Sequence, residues 1–441
     1  MLQTIKNALP RPIKKILVSI KQSTYNQWQK KLLFKRMQKK HTDFLKIIKE
    51  KGKVRVVFLV VHKSIWKVDP IFKKMLADSF FEPIILVCPY TRLDNESMLS
   101  DIVDTYNYFE KKGYPVISSY EKKEDRWLDL SDLRPDIIFF SNPYKLTKPQ
   151  YYEEAYKNYL CCYVPYYFMA TTHAGKLSNQ LNTLMLNSMW RIYWPHQYVF
   201  DQFSKYSVAS GRNSRLTGYP ATEVFFQECH LEKKIKKAWK TQKSNKKKII
   251  YAPHHTIENR DSSLSTFLQY GNFIRQLSSE YQDSVQWSFK PHPMLKEKLF
   301  AHPEWGYKKT NEYYQYWIES PNTQLDLGGY DDLFNESDAM IHDCSSFIVE
   351  YSFTKKPALY LLNPKNKSES FLNEFGKKVF KSNKKAKSKK DIINFVDDIF
   401  NENDSKLINK NSFFQSYVND LYIKSTPSQK IIDDIKSEIT H

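Results

Sequence analysis

The sequence lacks any segment that would carry it into or across a membrane. None of its apolar runs approaches the roughly 18 to 20 residues of a membrane-spanning helix, and the run Val56–Val61 is bounded by Arg55 and His62. Pro10, Pro12 and several lysines interrupt the start of the chain, where a signal peptide would have a continuous apolar core. The sequence therefore predicts that the protein remains in the cytosol.

Glycine and cysteine are both scarce. Only 10 of the 441 residues are glycine, which excludes a collagen-like or low-complexity chain. The 5 cysteines include no Cys-x-x-Cys pair, and this argues against a disulfide framework and against a structural zinc site. Reduced, mostly buried thiols are therefore predicted at Cys88, Cys161, Cys162, Cys229 and Cys344.

Acidic residues are missing from the first 40 positions, which contain 11 Lys or Arg. Within this segment Ile13, Ile16, Leu17 and Ile20 recur at helical spacing. A basic amphipathic helix of this kind can bind an anionic bilayer surface, and the alternative is a helix that docks on the protein's own surface. We predict residues 1–50 as a basic helical tail that associates the protein peripherally with the inner face of the cell membrane.

The whole chain is strongly basic, with a formal net charge of +20. Such a charge attracts phosphate polymers, whether nucleic acid, anionic lipid or a polyanionic glycan. Nucleic-acid binding is supported by charge alone, because the sequence contains no recognised nucleic-acid-binding motif. The expected partners are therefore an anionic membrane surface and an anionic polymer or lipid-linked acceptor, with no nucleic acid.

Strand-like and helical segments alternate along the remaining chain, which predicts doubly wound α/β domains. The apolar run Val54–Val61 is typical of a strand buried on both faces of a parallel sheet. The pattern restarts at Lys248–Ala252, which gives an N-terminal domain over residues 51–226, a lysine-rich linker over 227–247 and a C-terminal domain over 248–441. The other predicted features are strands at Ile84–Cys88, Pro115–Ser118, Asp136–Ser141, Leu160–Val164, Val285–Phe289, Asp338–Ile341 and Ala358–Leu362, a basic surface loop at Lys381–Lys390, and helices at Pro70–Phe80, Asp391–Phe400 and Lys430–Ile439.

The common nucleotide-binding and metal-binding motifs are absent. Neither half contains G-x-G-x-x-G or G-x-x-x-x-G-K-[ST], so the usual dinucleotide and P-loop sites are unsupported. D-x-D is also missing, and no Cys/His ligand set is recognisable. We therefore expect a site without a metal.

Three polar clusters follow predicted strands of the second domain, at Tyr251–Thr256, Phe289–Pro293 and Met340–Phe347. Ligands of open α/β sheets bind outside the carboxyl ends of the strands, so these clusters are expected to form one site. In the third cluster, Ser345 and Ser346 are predicted to stand at the N-terminus of a helix. Free N–H groups and the helix dipole at that position would bind a diphosphate. The alternative is ordinary capping of that helix by Asp343 or by Ser345.

Histidines and a lysine dominate the first two clusters. The rigid Pro-His-Pro element orients His292, which one proline separates from Lys290. A lone histidine is usually structural, but two histidine-bearing loops and a Ser-Ser loop at one sheet edge favour a functional role. Of His254 and His255, one is expected in the site and the other in a supporting position.

The motifs in combination resemble the CDP-glycerol glycerophosphotransferase family, which includes teichoic-acid primases and polymerases. In that family a strand ends in Tyr-Ala-Pro, and a Lys-x-His-Pro element and an Asp-x-Ser-Ser element follow. The resemblance extends from Val54 to Leu362. The elements that carry it are Tyr251–Pro253, Lys290–Pro293 and Asp343–Ser346, with Val164–Tyr166 and Leu216–Pro220 in the first half.

The resemblance implies a GT-B architecture, in which two Rossmann-like domains face a cleft and the second holds most of the nucleotide donor. It implies CDP-linked glycerol or ribitol phosphate as the donor, a cell-surface polysaccharide or teichoic-acid-like acceptor, and no required metal or other cofactor. Polymerases of the family carry Trp-His-Gly in the first domain, where the histidine faces the acceptor. The nearest match is Thr172–Ala174, in which Thr and Ala stand in place of Trp and Gly. The resemblance therefore implies that the histidine of this element, His173, is the acceptor base.

The predicted reaction is attack by an acceptor hydroxyl on the β-phosphorus of the CDP-polyol, with CMP as the leaving group. Such transfers depend mainly on positioning and charge stabilisation, and His173 or His254 would be the general base. The alternative is a nucleotide-sugar-dependent glycosyltransferase of capsule or lipopolysaccharide synthesis on the same fold. The predicted catalytic residues are His173, His254 and His292, and the predicted donor-phosphate residues are His255, Lys290, Asp343, Ser345 and Ser346.

Overall fold

The computed structural model describes residues 11–172, 177–226, 238–258, 263–364, 369, 371–402 and 411–440, with the side chains of the first helix described from residue 26 onward. The chain divides into two compact units. The first unit comprises the chain up to residue 167 together with residues 174–221 and 425–441. The second comprises residues 168–173 and 222–424.

Each unit is built on a parallel β-sheet, with strand order β3-β2-β1-β6-β7-β8-β9 in the first and β12-β11-β10-β13-β14-β15 in the second. The strands are β1 (Val54–Val60), β2 (Phe81–Val87), β3 (Val116–Ser118), the short hairpin β4 (Tyr120–Glu121) and β5 (Arg126–Trp127), β6 (Ile137–Phe140), β7 (Leu160–Tyr163), β8 (Arg191–Trp194), β9 (Ser214–Leu216), β10 (Lys247–Ala252), β11 (Val285–Phe289), β12 (Thr323–Leu325), β13 (Ala339–His342), β14 (Ala358–Leu361) and β15 (Lys384–Ala386). The helices are α1 (Arg11–Lys49), α2 (Asp69–Ala77), α3 (Asn95–Glu110), α4 (Glu153–Asn158), α5 (Leu177–Leu181), α6 (Leu184–Ser188), α7 (Gln197–Tyr206), α8 (Phe267–Glu280), α9 (Leu295–Phe300), α10 (Gly306–Glu319), α11 (Asp331–Glu336), α12 (Phe347–Glu350), α13 (Glu374–Phe380), α14 (Lys389–Phe400), α15 (Ser412–Val418) and α16 (Pro427–Thr440).

Strand β1 lies inside the first sheet between β2 and β6, and its side chains are buried on both faces with the exception of Arg55. Phe58 stacks on Phe139 of β6 with 4.6 Å between the ring centroids, and it packs edge-on against Phe72 of α2. Burial of one such ring contributes about 1.5–3 kcal/mol. The continuous apolar run therefore has the structure predicted for it, a strand covered on both sides.

The basic tail is a helix whose C-terminal half packs on the first unit. In α1 the side chains of Phe34, Met37 and Ile48 are buried, with exposures of 4%, 1% and 3%. Nearer the N-terminus, Trp28 and Leu32 are 56% and 47% exposed. The C-terminal half of α1 therefore docks on the protein's own surface, while membrane contact by the part before it stays a prediction.

The last helix, α16, belongs to the first unit and not to the C-terminal domain predicted for it. Its Ile435 is fully buried in the core of the first unit. Asp434 accepts hydrogen bonds from Arg191 Nε at 3.1 Å, from Tyr193 Oη at 3.0 Å and from Arg215 Nε at 2.8 Å. These polar contacts with β8 and β9 join residues far apart in the sequence, which the helical pattern alone does not reveal.

The second sheet is packed mainly by aromatic rings. Phe289 of β11 stacks on Tyr251 of β10 and on Trp317 of α10, with centroid separations of 5.7 Å and 5.1 Å. Neighbouring β10 and β11 pair in parallel from Lys247 opposite Val285 onward. This packing holds the ends of the central strands in register.

The prediction of a surface loop at Lys381–Lys390 is wrong, because this segment contains the edge strand β15, which pairs in parallel with β14. Its lysines resemble those of a solvated loop, but edge strands commonly carry lysine, which discourages pairing with other chains. Lys384 instead bonds Asp398 of α14 at 3.1 Å.

The prediction of a linker over residues 227–247 is wrong for its C-terminal part. Residues 227–237 lie outside the described residues, whereas Trp239 is only 3% exposed. The indole Nε1 of Trp239 donates to the carbonyl of Leu333 at 3.3 Å. The chain after residue 237 is therefore part of the second unit.

The thiols of four cysteines, Cys88, Cys161, Cys162 and Cys344, are free and buried, as predicted, and Cys229 lies outside the described residues. Burial raises the pKa of each of these four thiols. Among the helices that the structure describes, none combines the length and the apolar character needed to cross a membrane.

Candidate functional site

The second sheet brings the three polar clusters of the sequence together. Its central strand, β10, lies between β11 and β13, and the three polar segments follow directly after these strands. The chain passes from β10 outward through β11 to β12 and then crosses to β13 on the other side of β10. Ligands of open α/β sheets bind at such a reversal of strand order, beyond the carboxyl ends of the strands.

Three imidazole rings meet at this position. The ring centroids of His254 and His255 are 4.4 Å apart, those of His254 and His292 are 5.2 Å apart, and those of His255 and His292 are 4.2 Å apart. The main chain fixes this arrangement, because His292 N donates to the carbonyl of Pro253 at 3.0 Å. The three rings therefore lie together, and the division of His254 and His255 into one site residue and one supporting residue stays a prediction.

Hydrogen bonds define how two of these rings are oriented. His254 Nδ1 lies 2.9 Å from Thr256 Oγ1 and accepts from Thr256 N at 3.3 Å, and His292 Nδ1 accepts from Met294 N at 3.2 Å. The Thr256 hydroxyl oxygen accepts from Leu264 N at 2.8 Å, so its own proton is available to His254. In the neutral rings these contacts assign the proton to Nε2, which then serves as a hydrogen-bond donor.

Burial keeps the three rings uncharged at neutral pH. It lowers the pKa of His254 to about 2, with further contributions from the neighbouring His255, His292 and Lys298. It also lowers the pKa of His292 to about 4, and it lowers the pKa of His255. A neutral imidazole with a proton on Nε2 donates a hydrogen bond well, but His254 is a poor general base at this pKa.

Asp343 supports the loops of the site from beneath. Its buried carboxylate accepts from His254 N at 2.5 Å, from Thr266 N at 2.6 Å and from Thr266 Oγ1 at 2.8 Å. Burial raises the pKa of Asp343 to about 6. The carboxylate therefore joins the loop after β13 to the loop after β10 and to the start of α8, and it positions His254 through the main chain.

Lys290 is engaged within the protein. Its side chain is 9% exposed, and Nζ bonds Asp326 Oδ1 at 2.8 Å and the carbonyl of Gly328. This contact anchors the loop after β12 next to the site. Direct binding of the donor phosphate by Lys290 stays a prediction, and in this structure the ammonium group holds a loop.

A lysine that the sequence analysis did not select lies near the imidazoles. Lys298 of α9 lowers the pKa of His254, His255 and His292 by electrostatic repulsion, and it forms an ion pair with Glu258. No motif in the sequence singles out Lys298, which is one of two lysines in α9. Lys298 is thus a source of positive charge for an anionic ligand.

Ser345 and Ser346 stand at the beginning of α12, as predicted. Ser345 is half-buried and Ser346 is exposed. Neither hydroxyl forms a hydrogen bond with any residue that the structure describes, and Ser346 makes no side-chain cap contact. Asp343 accepts from His254 and Thr266 instead, so capping of this helix by Asp343 or Ser345 is not seen among the described residues, and both hydroxyls are available to a ligand.

The predicted acceptor base, His173, lies outside the described residues. Of the other predicted site residues, the structure brings together His254, His255 and His292, and Asp343 is bonded to the main chain of His254. Ser345 and Ser346 follow the neighbouring strand, and Lys290 holds an adjoining loop.

Two Rossmann-like units with all-parallel sheets, one carrying polar loops where its strand order reverses, form the architecture of GT-B transferases. Residues 192–436 match the family described as CDP-glycerol:poly(glycerophosphate) glycerophosphotransferase. The match covers more than half of the chain, and the protein belongs to this family. It is a transferase of the CDP-glycerol glycerophosphotransferase type.

Solved structures share the fold at low sequence identity. The wall teichoic acid polymerase TagF has 14% identity and a TM-score of 0.54 over 94% of this chain and 98% of that chain. The UDP-GlcNAc 2-epimerase from Neisseria meningitidis, solved with UDP-GlcNAc, has 14% identity and a TM-score of 0.53 over 87% of this chain and 100% of that chain. A comparison with curated proteins found no match.

Proposed function

We propose that the protein transfers glycerol phosphate, or a related polyol phosphate such as ribitol phosphate, from a CDP-linked donor to a hydroxyl group of a teichoic-acid-like polymer. Membership of the glycerophosphotransferase family supports the reaction, and the fold is shared with a wall teichoic acid polymerase. The single observation that carries the proposal is the cluster of three neutral imidazoles at the strand ends of the second sheet.

The donor diphosphate is assigned to the space between the imidazole cluster and the Ser-Ser loop. His254 and His292 offer Nε2–H donors, because their Nδ1 atoms already accept hydrogen bonds. Ser345 and Ser346 add two hydroxyl donors from the loop after β13. Lys298 supplies positive charge, so that the anionic donor is held by charge and hydrogen bonds together.

Transfer forms one bond and breaks one at the same phosphorus. The acceptor oxygen attacks the phosphorus that bears the polyol, the bond from this phosphorus to the bridging oxygen breaks, and CMP leaves with that oxygen. Negative charge develops on the departing CMP, where the N–H and O–H donors stabilise it. We expect no metal to be required, since these donors and Lys298 already supply the charge stabilisation.

The proton of the acceptor hydroxyl must pass to a base. His254 is unsuited to this role, because its Nδ1 is occupied by Thr256 and burial lowers its pKa to about 2. We therefore keep His173 as the acceptor base and assign His254 and His292 to the donor phosphates.

The released nucleotide tests this function directly. The protein is incubated with CDP-glycerol, CDP-ribitol and a panel of UDP-sugars, together with a teichoic-acid-like acceptor, and the nucleotide products are separated. CMP release from a CDP-polyol is expected. Release of CDP or UDP from a sugar donor would instead identify a glycosyltransferase and refute the proposal.

We further propose that the enzyme works in the cytosol at the inner face of the cell membrane, through the part of α1 before the docked half. Five of the 11 basic residues of the first 40 positions precede residue 26, and together with the exposed Trp28 they support this. Basic residues near an anionic surface contribute about 1 kcal/mol each. The charge of the chain thus serves a membrane and an anionic acceptor, and nucleic acid is not a proposed partner.

A further inference from the structure

The three imidazoles of the site also form a group able to coordinate a transition metal. One ligand atom from each of His254, His255 and His292 lies within 4.8 Å of the other two. Three histidines with a fourth position left to a water or a substrate make up a common Zn²⁺ ligand set. We propose that these three histidines bind one transition-metal ion of the Zn²⁺ class.

The required movement is confined to the side chains. Zn–N bonds of about 2.0–2.1 Å in a tetrahedron place the ligand nitrogens about 3.4 Å apart, so the rings must turn inward from their present spacing. The backbone is already held in place, because His292 N bonds Pro253 O at 3.0 Å and His254 N bonds Asp343 at 2.5 Å. With the backbone held in this way, rotation about the side-chain bonds is the movement that would close the ligand set.

One nitrogen of the cluster lacks a partner. His255 Nδ1 is buried and has no hydrogen-bond partner among the described residues. Buried polar atoms in folded proteins are nearly always paired, and an unpaired one calls for a bound water, an ion or a function. A coordinated metal ion would satisfy this atom.

The charge and the chemistry of the cluster select the kind of metal. Three neutral imidazoles suit Zn²⁺, Ni²⁺ or Cu²⁺, whereas Mg²⁺ and Ca²⁺ prefer oxygen ligands. Lys298 adds positive charge near the rings, and the carboxylate of Glu258, which is ion-paired with it, weakens the repulsion of a metal cation. The cluster is thus a site for a borderline-soft metal ion.

If the same rings bind the donor diphosphate, as the proposed function requires, metal and donor compete for them. A ring nitrogen that coordinates a metal cannot donate a hydrogen bond to phosphate. If the metal takes Nε2 of His292, the proton moves to Nδ1, and the contact with Met294 N is lost. Zn²⁺ should therefore inhibit transfer, and the inhibition should be competitive with the CDP-polyol.

The test is titration calorimetry of the untagged full-length protein with ZnCl₂ and, separately, with MgCl₂. One equivalent of Zn²⁺ and no Mg²⁺ should bind. His254→Ala, His255→Ala and His292→Ala should each weaken Zn²⁺ binding by at least about tenfold, since even the loss of an outer partner of a metal ligand costs that much. His302→Ala is the matched control, because His302 Nδ1 accepts a main-chain N–H from two residues further on, at 3.3 Å, as His292 does.

Zn²⁺ binding that is absent, or that persists at full strength in all three cluster variants, would overturn the proposal. A second titration adds CDP-glycerol in EDTA and then in Zn²⁺. Weaker donor binding in Zn²⁺ supports the competition, and equal binding in both overturns it. Failure of CDP-glycerol to bind in EDTA would count against the proposed function, whereas Zn²⁺ binding that depends on the three histidines would still establish the metal site.

Discussion

Replacement of His292 by alanine should cut turnover strongly while the protein stays folded. In the proposed complex the change removes one N–H donor to a charged phosphate oxygen, and a hydrogen bond of this kind contributes about 1.5–3 kcal/mol. If the contact tightens in the transition state, the rate should fall roughly ten- to a hundredfold. The ring is half-buried and its Nδ1 contact with Met294 N is long, at 3.2 Å, so little stability should be lost.

The assay measures CMP release and melting temperature on the same preparation, with His302→Ala as the control. His302 lies in the same unit and has the same type of main-chain contact, but it is not part of the imidazole cluster. The control should keep both activity and melting temperature. Near-normal CMP release from folded His292→Ala would remove this residue from the donor site.

A second variant separates donation from base catalysis. In His292→Gln the side-chain amide can replace the Nε2–H donor, but it cannot accept a proton. Partial recovery of CMP release relative to His292→Ala is therefore expected. Equal loss in both variants would refute the assignment of His292 as a neutral hydrogen-bond donor.

Four further predictions concern the metal requirement, Asp343, the N-terminal segment and Asp434. Activity should survive EDTA, because hydrogen-bond donors and Lys298 bind the diphosphate; complete loss that Mg²⁺ or Mn²⁺ restores would contradict this. Burial raises the pKa of Asp343 from 3.8 to about 6, so protein stability falls as pH rises through this range and Asp343 loses its proton, by about 2 kcal/mol between pH 4.5 and pH 7. Asp343→Asn should remove this pH dependence of the free energy of unfolding, which urea titration measures at pH 4.5 and at pH 7. An equal change between these pH values in the original protein and in the variant would contradict the prediction. Deletion of residues 1–25 should weaken binding to anionic vesicles and leave the docked half of α1 in place; unchanged co-sedimentation would exclude a membrane role for this segment. Asp434→Ala should lower the free energy of unfolding by about 1–3 kcal/mol, because the buried Arg191 and the hydroxyl of Tyr193 lose an acceptor, and a loss near zero in urea titration would contradict this.

The strands of the two sheets could be predicted where burial on both faces imposes continuous apolar runs. Val54–Val60, Leu160–Tyr163 and Val285–Phe289 form strands as expected. Short or charged strands such as Thr323–Leu325 and Lys384–Ala386 were missed, because three residues at a sheet edge carry too little periodicity. Their assignment depends on pairing with a neighbour, which a local pattern does not contain.

Sequence by itself determined the family and the chemical types present at the site. Tyr251–Pro253, Lys290–Pro293 and Asp343–Ser346 indicated a phosphate-binding edge, because polar residues after buried strands lie where α/β sheets bind ligands. The strand order could not be determined from these motifs. Only the placement of β10 between β11 and β13 put the three loops side by side.

Tertiary structure alone decided what each polar side chain does. Lys290 and Asp343 are predicted from the sequence as donor-phosphate residues, and only the structure shows that one holds a loop through Asp326 and that the other bonds the main chain of His254. His255 and His292 are distant in the chain, and their rings meet only because the parallel strands before them end at the same edge. Composition and motif spacing record which groups are available, whereas burial and hydrogen-bond partners, which depend on the whole fold, determine their charge and their direction.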